Sequence, residues 1–170
     1  MGLPVDTDRN NQQSSSFKSP WGDDINDSNT DVTFERINAE EYLISYTFFL
    51  IPEFPTFQLT GELIDLMPKW IEEICVSNRW KLEFVTVNPK YLQWALSIPA
   101  VIATMRVVDL VRSKLTENIL SAAEEKMELG DSTDLWAPGY LLLHGIHPHP
   151  IDIIEQYILL VRKQHQRDSQ

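Results

Sequence analysis

The stretch WKLEFVTVNPKYLQWALSI, residues 80–98, decides the fold class of this protein. Large apolar residues alternate with other residues over 80–87 and again over 91–98, a period typical of half-buried β-strands. Asn88 and Pro89 separate the two runs, and this dipeptide is a strong turn signal. The stretch therefore predicts two neighbouring antiparallel strands joined by a tight connection.

The sequence on either side of this hairpin predicts further elements. A β-branched and aromatic run ended by Pro52 predicts a strand before the hairpin, over residues 42–51. Apolar residues spaced by three and four positions are typical of amphipathic helices. They predict three helices: one that follows a cap at Thr60, one from about Thr104 to Ala122, and one that starts at Pro150. A short strand is predicted over Tyr140–Leu143, before the last helix.

The order of these elements is β-α-β-β-α-β followed by one more helix. That order is typical of an α+β, ferredoxin-like fold, in which an antiparallel sheet carries its helices on one face. Pro68 falls inside the first predicted helix, so we expect that helix to be kinked or to start late. The apolar strand over residues 42–51 is expected to lie at a sheet edge that needs a partner.

Composition and charge narrow the classes of function. The chain has 170 residues, 43% of them hydrophobic, and a formal net charge of −11. This balance counts against general nucleic-acid binding, which needs a basic field, although a local basic patch stays open. The single cysteine, Cys75, is expected to be a buried thiol in a reducing cytoplasmic compartment. No stretch predicts membrane insertion.

The chain divides into three parts. Residues 1–38 are rich in polar and acidic residues, which predicts a disordered acidic tail. Within it, Phe17 and Trp21 are candidate partner-docking residues, and the alternative is that they have no role. Residues 39–166 form the predicted domain, and residues 167–170 a disordered end.

Three segments in register resemble the single-tyrosine HUH transposases of small insertion sequences and their REP-associated relatives. The first is VNPKYLQWALSIP, residues 87–99, where that family has its His-hydrophobic-His motif. The second is VVDLVRSKLTENI, residues 107–119, which resembles the helix that follows. The third consists of two stretches. LWAPGY, residues 135–140, resembles the family's Trp-x-x-Gly-Tyr strand, and IEQYI, residues 154–158, resembles part of the helix that carries the nucleophile.

This resemblance implies what each position would do in an active enzyme. Tyr157 occupies the position of the tyrosine that attacks a DNA phosphate, and a divalent metal would polarise that phosphate. Tyr91 and Gln93 occupy the two metal-binding His positions, and their spacing predicts that both face the same side of the sheet. Val161 occupies the position of a further ligand. With these ligands replaced, we expect no metal, no cofactor and no catalysis.

Two other groups of residues are candidate sites. His144, His147 and His149 have a spacing that suits zinc or nickel, but the neighbouring Pro and Gly residues favour a solvated turn. The basic residues of the last two helices are either a residual nucleic-acid surface or ordinary solvated charge. Arg167 is one of these basic residues, and the candidates for nucleic-acid binding are Arg106, Arg112, Lys114, Arg162 and Lys163.

The sequence thus leads to one preferred hypothesis and two alternatives. The preferred hypothesis is a non-catalytic, domesticated transposase-like domain that acts as a homodimer and binds an unidentified protein partner. One alternative is a regulator that still binds a DNA or RNA hairpin. The less favoured alternative is an active transposase, which would form a covalent DNA adduct through Tyr157.

Overall fold

The computed structural model of the chain describes residues 42–123 and 134–169. The predicted tail with Phe17 and Trp21, and most of the charged loop before residue 134, lie outside the described residues. The described part contains four strands and three helices, in the predicted order. They are β1 (Leu43–Leu50), α1 (Leu63–Asn78), β2 (Lys81–Asn88), β3 (Tyr91–Pro99), α2 (Thr104–Ala123), β4 (Leu141–His144) and α3 (Ile151–Asp168).

The four strands form one antiparallel sheet in the order β2-β3-β1-β4. This is the ferredoxin-like arrangement, so the predicted α+β fold with an additional C-terminal helix is confirmed. The hairpin predicted over residues 80–98 is β2 and β3, which pair from Lys81 opposite Ser97 to Asn88 opposite Tyr91. A register shift interrupts this ladder between Leu82 and Phe84.

The strand predicted over residues 42–51 does not lie at a sheet edge, and that prediction was wrong. β1 pairs with β3 along Leu43–Leu50 and with β4 along residues 46–49. Its backbone groups are therefore used on both sides along much of its length. β2 and β4 are the edge strands of the described sheet. The apolar character of β1 reflects its central position, because a central strand of a covered sheet is buried on both faces.

The principal core lies between the sheet and the pair α1 and α2. Phe48 of β1 stacks on Trp94 of β3 with ring centroids 5.2 Å apart, and both side chains are fully buried. Each large apolar side chain removed from water in this way stabilises the fold by about 1.5–3 kcal/mol. The helices contribute fully buried apolar residues to the same cluster: Met67 and Ile71 from α1, and Val107, Val111 and Leu115 from α2.

Helix α3, the additional helix for which the sequence predicted no particular face, covers the face of the sheet opposite to α1 and α2. Successive residues of a strand point to opposite faces, and Phe49 therefore points away from Phe48. Phe49 and Ile51 form a second buried cluster with Ile154 and Val161 of α3. An amphipathic stripe on α3 predicts that one side is buried, but it does not specify which face of the sheet it covers.

The helix ends differ in detail from the predictions. α1 begins at Leu63 after Glu62, and Thr60 does not cap it, because a turn at Gly61 with φ +65° separates them. Pro68 lies inside this helix. α3 extends to Asp168, two residues past the predicted domain end at 166. No helix within residues 42–123 and 134–169 has both the length and the apolar character needed to cross a membrane.

Cys75 is buried on α1, as predicted from its apolar surroundings. Its side chain is 2% exposed and belongs to the principal core. Burial raises the pKa of the Cys75 thiol to about 11, with a smaller contribution from the Glu72 carboxylate. The thiol therefore stays protonated at neutral pH, and a protonated thiol is a poor nucleophile.

Candidate functional site

A buried polar pair lies on the sheet face that α3 covers. Gln93 of β3 stands opposite Phe49 of β1 and is 3% exposed. Its Oε1 atom lies 2.7 Å from the backbone nitrogen of His149 and 2.8 Å from Nδ1 of the same residue. A backbone N–H can only donate, so the acceptor must be the amide oxygen rather than the amide nitrogen. The oxygen of Gln93 therefore accepts two hydrogen bonds from His149.

These contacts define the protonation of the His149 ring. Because an amide oxygen only accepts, Nδ1 of His149 must carry the proton that it donates to Gln93. Burial lowers the pKa of His149, which favours the neutral ring. The ring centroid lies 5.5 Å from that of Phe49. In the neutral ring Nε2 is an acceptor, and it is buried without a hydrogen-bond partner among the described residues.

Tyr91 shares the face of Gln93, as the spacing of two residues on a strand predicts. Its ring centroid lies 4.8 Å from that of Phe49, and it packs against the cluster beneath α3. The two positions that the family resemblance assigns to metal ligands are therefore on one side of the sheet. One is a tyrosine ring in an aromatic contact, and the other is an amide that accepts hydrogen bonds from His149.

Tyr157 reaches the same cluster from α3. Its ring lies edge-on to Phe49, with centroids 6.0 Å apart and planes at 72°. A Cβ atom at Gly139, which has φ +86°, would lie 3.4 Å from the Tyr157 hydroxyl. Burial raises the pKa of the Tyr157 phenol, although the positive charge of Arg112 acts in the opposite direction. The phenol is thus protonated at neutral pH, and nothing in these contacts activates it as a nucleophile.

Val161 lies one turn after Tyr157 and completes the apolar contact beneath α3. It is 6% exposed and packs in the cluster that contains Ile51 and Ala137. The position that the resemblance assigns to a further ligand is here part of the packing between α3 and the sheet.

The three histidines predicted as a metal site or turn occupy different surroundings. His144 is on β4, and its ring centroid lies 4.9 Å from that of Tyr46 on β1. His147 is exposed beside Gly145, and only His149 is buried against Gln93. In residues 42–123 and 134–169, no three His, Cys, Asp or Glu side chains come together as a metal-ligand set.

The basic candidates on α2 are largely engaged with neighbouring residues. Nη2 of Arg112 lies 2.6 Å from Oδ2 of Asp134 and donates to the carbonyl of Trp136 at 3.1 Å. Both contacts hold the segment before β4 against α2. Lys114 is exposed and forms an ion pair with Glu117 at 2.9 Å. Exposed pairs of this kind contribute little to stability.

The basic candidates on α3 lie on the other side of the sheet. Arg162 donates from its two terminal nitrogens to the carbonyls of Glu53 at 2.7 Å and Pro52 at 3.0 Å. It therefore fastens α3 to the segment after β1. Lys163 is exposed on α3, and Arg106 is exposed on α2. Arg106, Arg112 and Lys114 thus lie on a helix that packs on one face of the sheet, and Arg162 and Lys163 lie on the helix that packs on the other face.

Sequence reasoning did not identify the bond between His149 and Gln93. His147 and His149 each precede a proline, so no local pattern separates the buried histidine from the exposed one. Only the path of the chain from β4 to α3 brings His149 onto β3. The anchoring role of Arg162 was also missed, since its acceptors are backbone carbonyls 109 and 110 residues away.

Comparison with known proteins gives fold-level relationships. No protein-family profile and no curated protein matches the chain. A REP-associated tyrosine transposase bound to a REP hairpin is 13% identical, with a TM-score of 0.42, and the match covers 78% of this chain and 73% of that one. A putative transposase from Deinococcus radiodurans is 20% identical, with a TM-score of 0.62, and the match covers 75% of this chain and 98% of that one. The chain described here therefore has the fold of a putative transposase, which agrees at the level of the fold with the resemblance drawn from its sequence.

Proposed function

We propose that this protein is a non-catalytic transposase-fold domain that works as a homodimer by binding a protein partner. The observation that carries the proposal is the bond between Gln93 and His149. This bond occupies the amide oxygen of Gln93, the atom that would be needed to bind a metal at the position where the resembling family has a metal-binding histidine.

The residues present do not fit a catalytic divalent metal. An amide oxygen has two lone pairs, and His149 uses both of those on Gln93. Tyr91 is packed against Phe49 as a phenol, and Val161 has no donor atom. Ordinary oxygen and nitrogen ligands for such metals are carboxylates, carbonyls and imidazoles with free lone pairs. Nε2 of His149 is one such atom, but among the described residues it belongs to no group of three His, Cys, Asp or Glu side chains. A transposition reaction that depends on this metal is therefore not supported.

The tyrosine is equally unsuited to attack a phosphate. Desolvation raises the pKa of Tyr157, and its ring packs against Phe49. Covalent catalysis by a hydroxyl needs an adjacent base, a lowered pKa or a metal. The charge of Arg112 acts to lower the pKa of Tyr157, but the effect of burial is larger, and the guanidinium itself bonds to Asp134 and the carbonyl of Trp136. The retained tyrosine is then a packing residue of α3.

Binding is the function that remains for such a domain. The candidate docking residues Phe17 and Trp21 belong to an acidic segment outside the described residues, and we assign them to contact with a protein partner. A homodimer would present two copies of this segment, and linked copies bind a multivalent partner more tightly than one copy does.

The test uses the full chain and a labelled single-stranded DNA that carries a hairpin, with Mg²⁺ or Mn²⁺ added. Denaturing electrophoresis detects a covalent protein–DNA adduct. We expect no adduct from the wild-type chain and none from Tyr157→Phe. An adduct that forms with the wild type and disappears in Tyr157→Phe would overturn the proposal and establish an active transposase.

A further inference from the structure

Helix α3 carries large apolar side chains on its outward side as well as on the side that packs against the sheet. Leu159 is 60% exposed and Leu160 is 52% exposed, and they lie at the centre of an 18-residue helix. Ile151 and Ile153 at its start are 64% and 41% exposed. Single exposed apolar residues are ordinary, but several on one helix mark an interaction surface.

The same outward side is charged with opposite signs at its two ends. At 100° per residue, Asp152, Gln156, Lys163 and Arg167 lie along one line of the helix, between Leu159 on one side and Leu160 on the other. All of these residues are exposed. The line is therefore acidic in the first turn, neutral in the middle and basic in the last two turns.

We propose that α3 pairs antiparallel with α3 of a second copy of this chain, with Leu159 and Leu160 at the two-fold axis. In that register, the two-fold axis passes between Leu159 and Leu160. Counted from this point, Asp152 is the eighth residue towards the start of the helix and Arg167 the eighth towards its end, so Asp152 of one copy faces Arg167 of the other. Each pair lies about 11 Å along the helix from the axis. Gln156 of one copy likewise faces Lys163 of the other. A two-fold contact repeats both of these residue pairs, of which Asp152 with Arg167 is the oppositely charged one.

The charge pattern selects a second copy as the occupant. An acidic start and a basic end are complementary to the same helix running in the opposite direction, which is the requirement for an isologous contact. This inference rests on the homodimer in the proposed function and gives that dimer a surface. β1 cannot provide the surface, since β3 and β4 flank it in the sheet.

The first experiment removes the apolar centre. The full chain with Leu159→Glu and Leu160→Glu is compared with the wild type by sedimentation equilibrium. Protein concentrations span about 1–100 µM, because a contact of two helices is small and weak. We expect self-association in the wild type and a loss on the order of 100-fold in the variant. The matched control is Val76→Glu on α1, where the side chain is 73% exposed, and its association is expected to equal that of the wild type.

The second experiment tests the direction of pairing by exchanging charges. Asp152→Arg alone and Arg167→Asp alone each place like charges at both ends of the contact, so each is expected to weaken self-association by about tenfold. The chain with both changes restores opposite charges and is expected to associate like the wild type. An equimolar mixture of the two single variants is expected to form heterodimers in preference to either homodimer.

The outcomes separate this inference from the proposed function. A wild-type chain that is monomeric throughout overturns both the homodimer and the α3 surface. A dimer that persists in the double leucine variant, or no rescue when the two charges are exchanged together, overturns the α3 surface alone. None of these association results bears on the covalent-adduct experiment, which tests catalysis.

Discussion

Gln93 shows how one buried amide can join two parts of the chain that are far apart in sequence. Its amide oxygen bonds to the backbone and the ring of His149, which lies 56 positions later in the chain. The bond fixes the start of α3 against β3. A buried amide in this position stabilises the fold because both donors of His149 would otherwise be unsatisfied.

Replacing Gln93 with leucine should therefore destabilise the protein. Gln93→Leu leaves two buried donors of His149 without an acceptor, and we expect a loss of about 2–4 kcal/mol in the free energy of unfolding. Urea denaturation monitored by tryptophan fluorescence measures this change. Gln166→Leu, at an exposed position on α3, is the control and should change the free energy of unfolding little. Equal stability of Gln93→Leu and the wild type would show that the bond contributes nothing.

His149 should make stability depend on pH. Burial lowers its pKa in the folded chain below its unfolded value of about 6.5. The unfolded chain then binds more protons than the folded chain as pH falls through that value. The stabilisation is present above about pH 6.5 and is lost as pH falls towards the folded pKa.

The measurement compares the free energy of unfolding at about pH 7.5 and about pH 5.5, on either side of the unfolded value. His149→Asn keeps a donor towards Gln93 but does not titrate, so its stability should fall less on acidification than that of the wild type. His147→Asn, at an exposed position, should behave like the wild type. Identical acid sensitivity of His149→Asn and the wild type would contradict the prediction.

At the scale of the element, α1 carries a residue that opposes its own helix. Pro68 lies six residues into α1 and cannot donate the hydrogen bond that would reach the carbonyl of Ile64. Neighbouring residues compensate by packing, since Met67 and Ile71 are fully buried in the principal core. The helix is thus maintained by tertiary contacts rather than by local propensity.

Pro68→Ala should stabilise the protein by about 1–2 kcal/mol, because alanine restores the missing donor and has the highest helix propensity. A rise in the thermal unfolding temperature measures this effect. Lys69→Ala, at the exposed neighbouring position, is the control and should change the temperature much less. A lower unfolding temperature for Pro68→Ala would mean that packing of the proline ring outweighs the lost hydrogen bond.

At the scale of the whole molecule, charge and its distribution oppose nucleic-acid binding. The net charge is −11, and the basic candidates are divided between α2 and α3 on opposite faces of the sheet. Arg112 and Arg162 are occupied by acceptors within the protein. The engagement of Arg112 and Arg162 leaves fewer of these candidates for phosphates, and few phosphate contacts give weak, salt-sensitive binding.

We therefore expect no saturable binding of hairpin DNA or RNA at physiological salt, measured by fluorescence anisotropy. Arg106→Glu and Lys163→Glu should not change that result, and Lys69→Glu on α1 is the matched charge control. Binding that survives physiological salt, and is lost in Arg106→Glu or Lys163→Glu but not in the control, would favour the hairpin-binding regulator.

The sequence by itself determined the order of the elements and the pairing of β2 with β3. Alternation along a strand and three-to-four spacing along a helix are local properties, so they can be read before folding. They also predicted that Tyr91 and Gln93 share a face, and the burial of Cys75 followed from its apolar neighbours.

Only the tertiary structure decided which surfaces meet. It placed β1 inside the sheet and α3 on the opposite face from α1 and α2. It also distinguished His149 from His147 by bringing the former against Gln93. A periodic pattern specifies that one side of a helix or strand is buried. Which element that side packs against depends on the path of the whole chain. Contacts between residues far apart in sequence therefore leave no local signal that could be read beforehand.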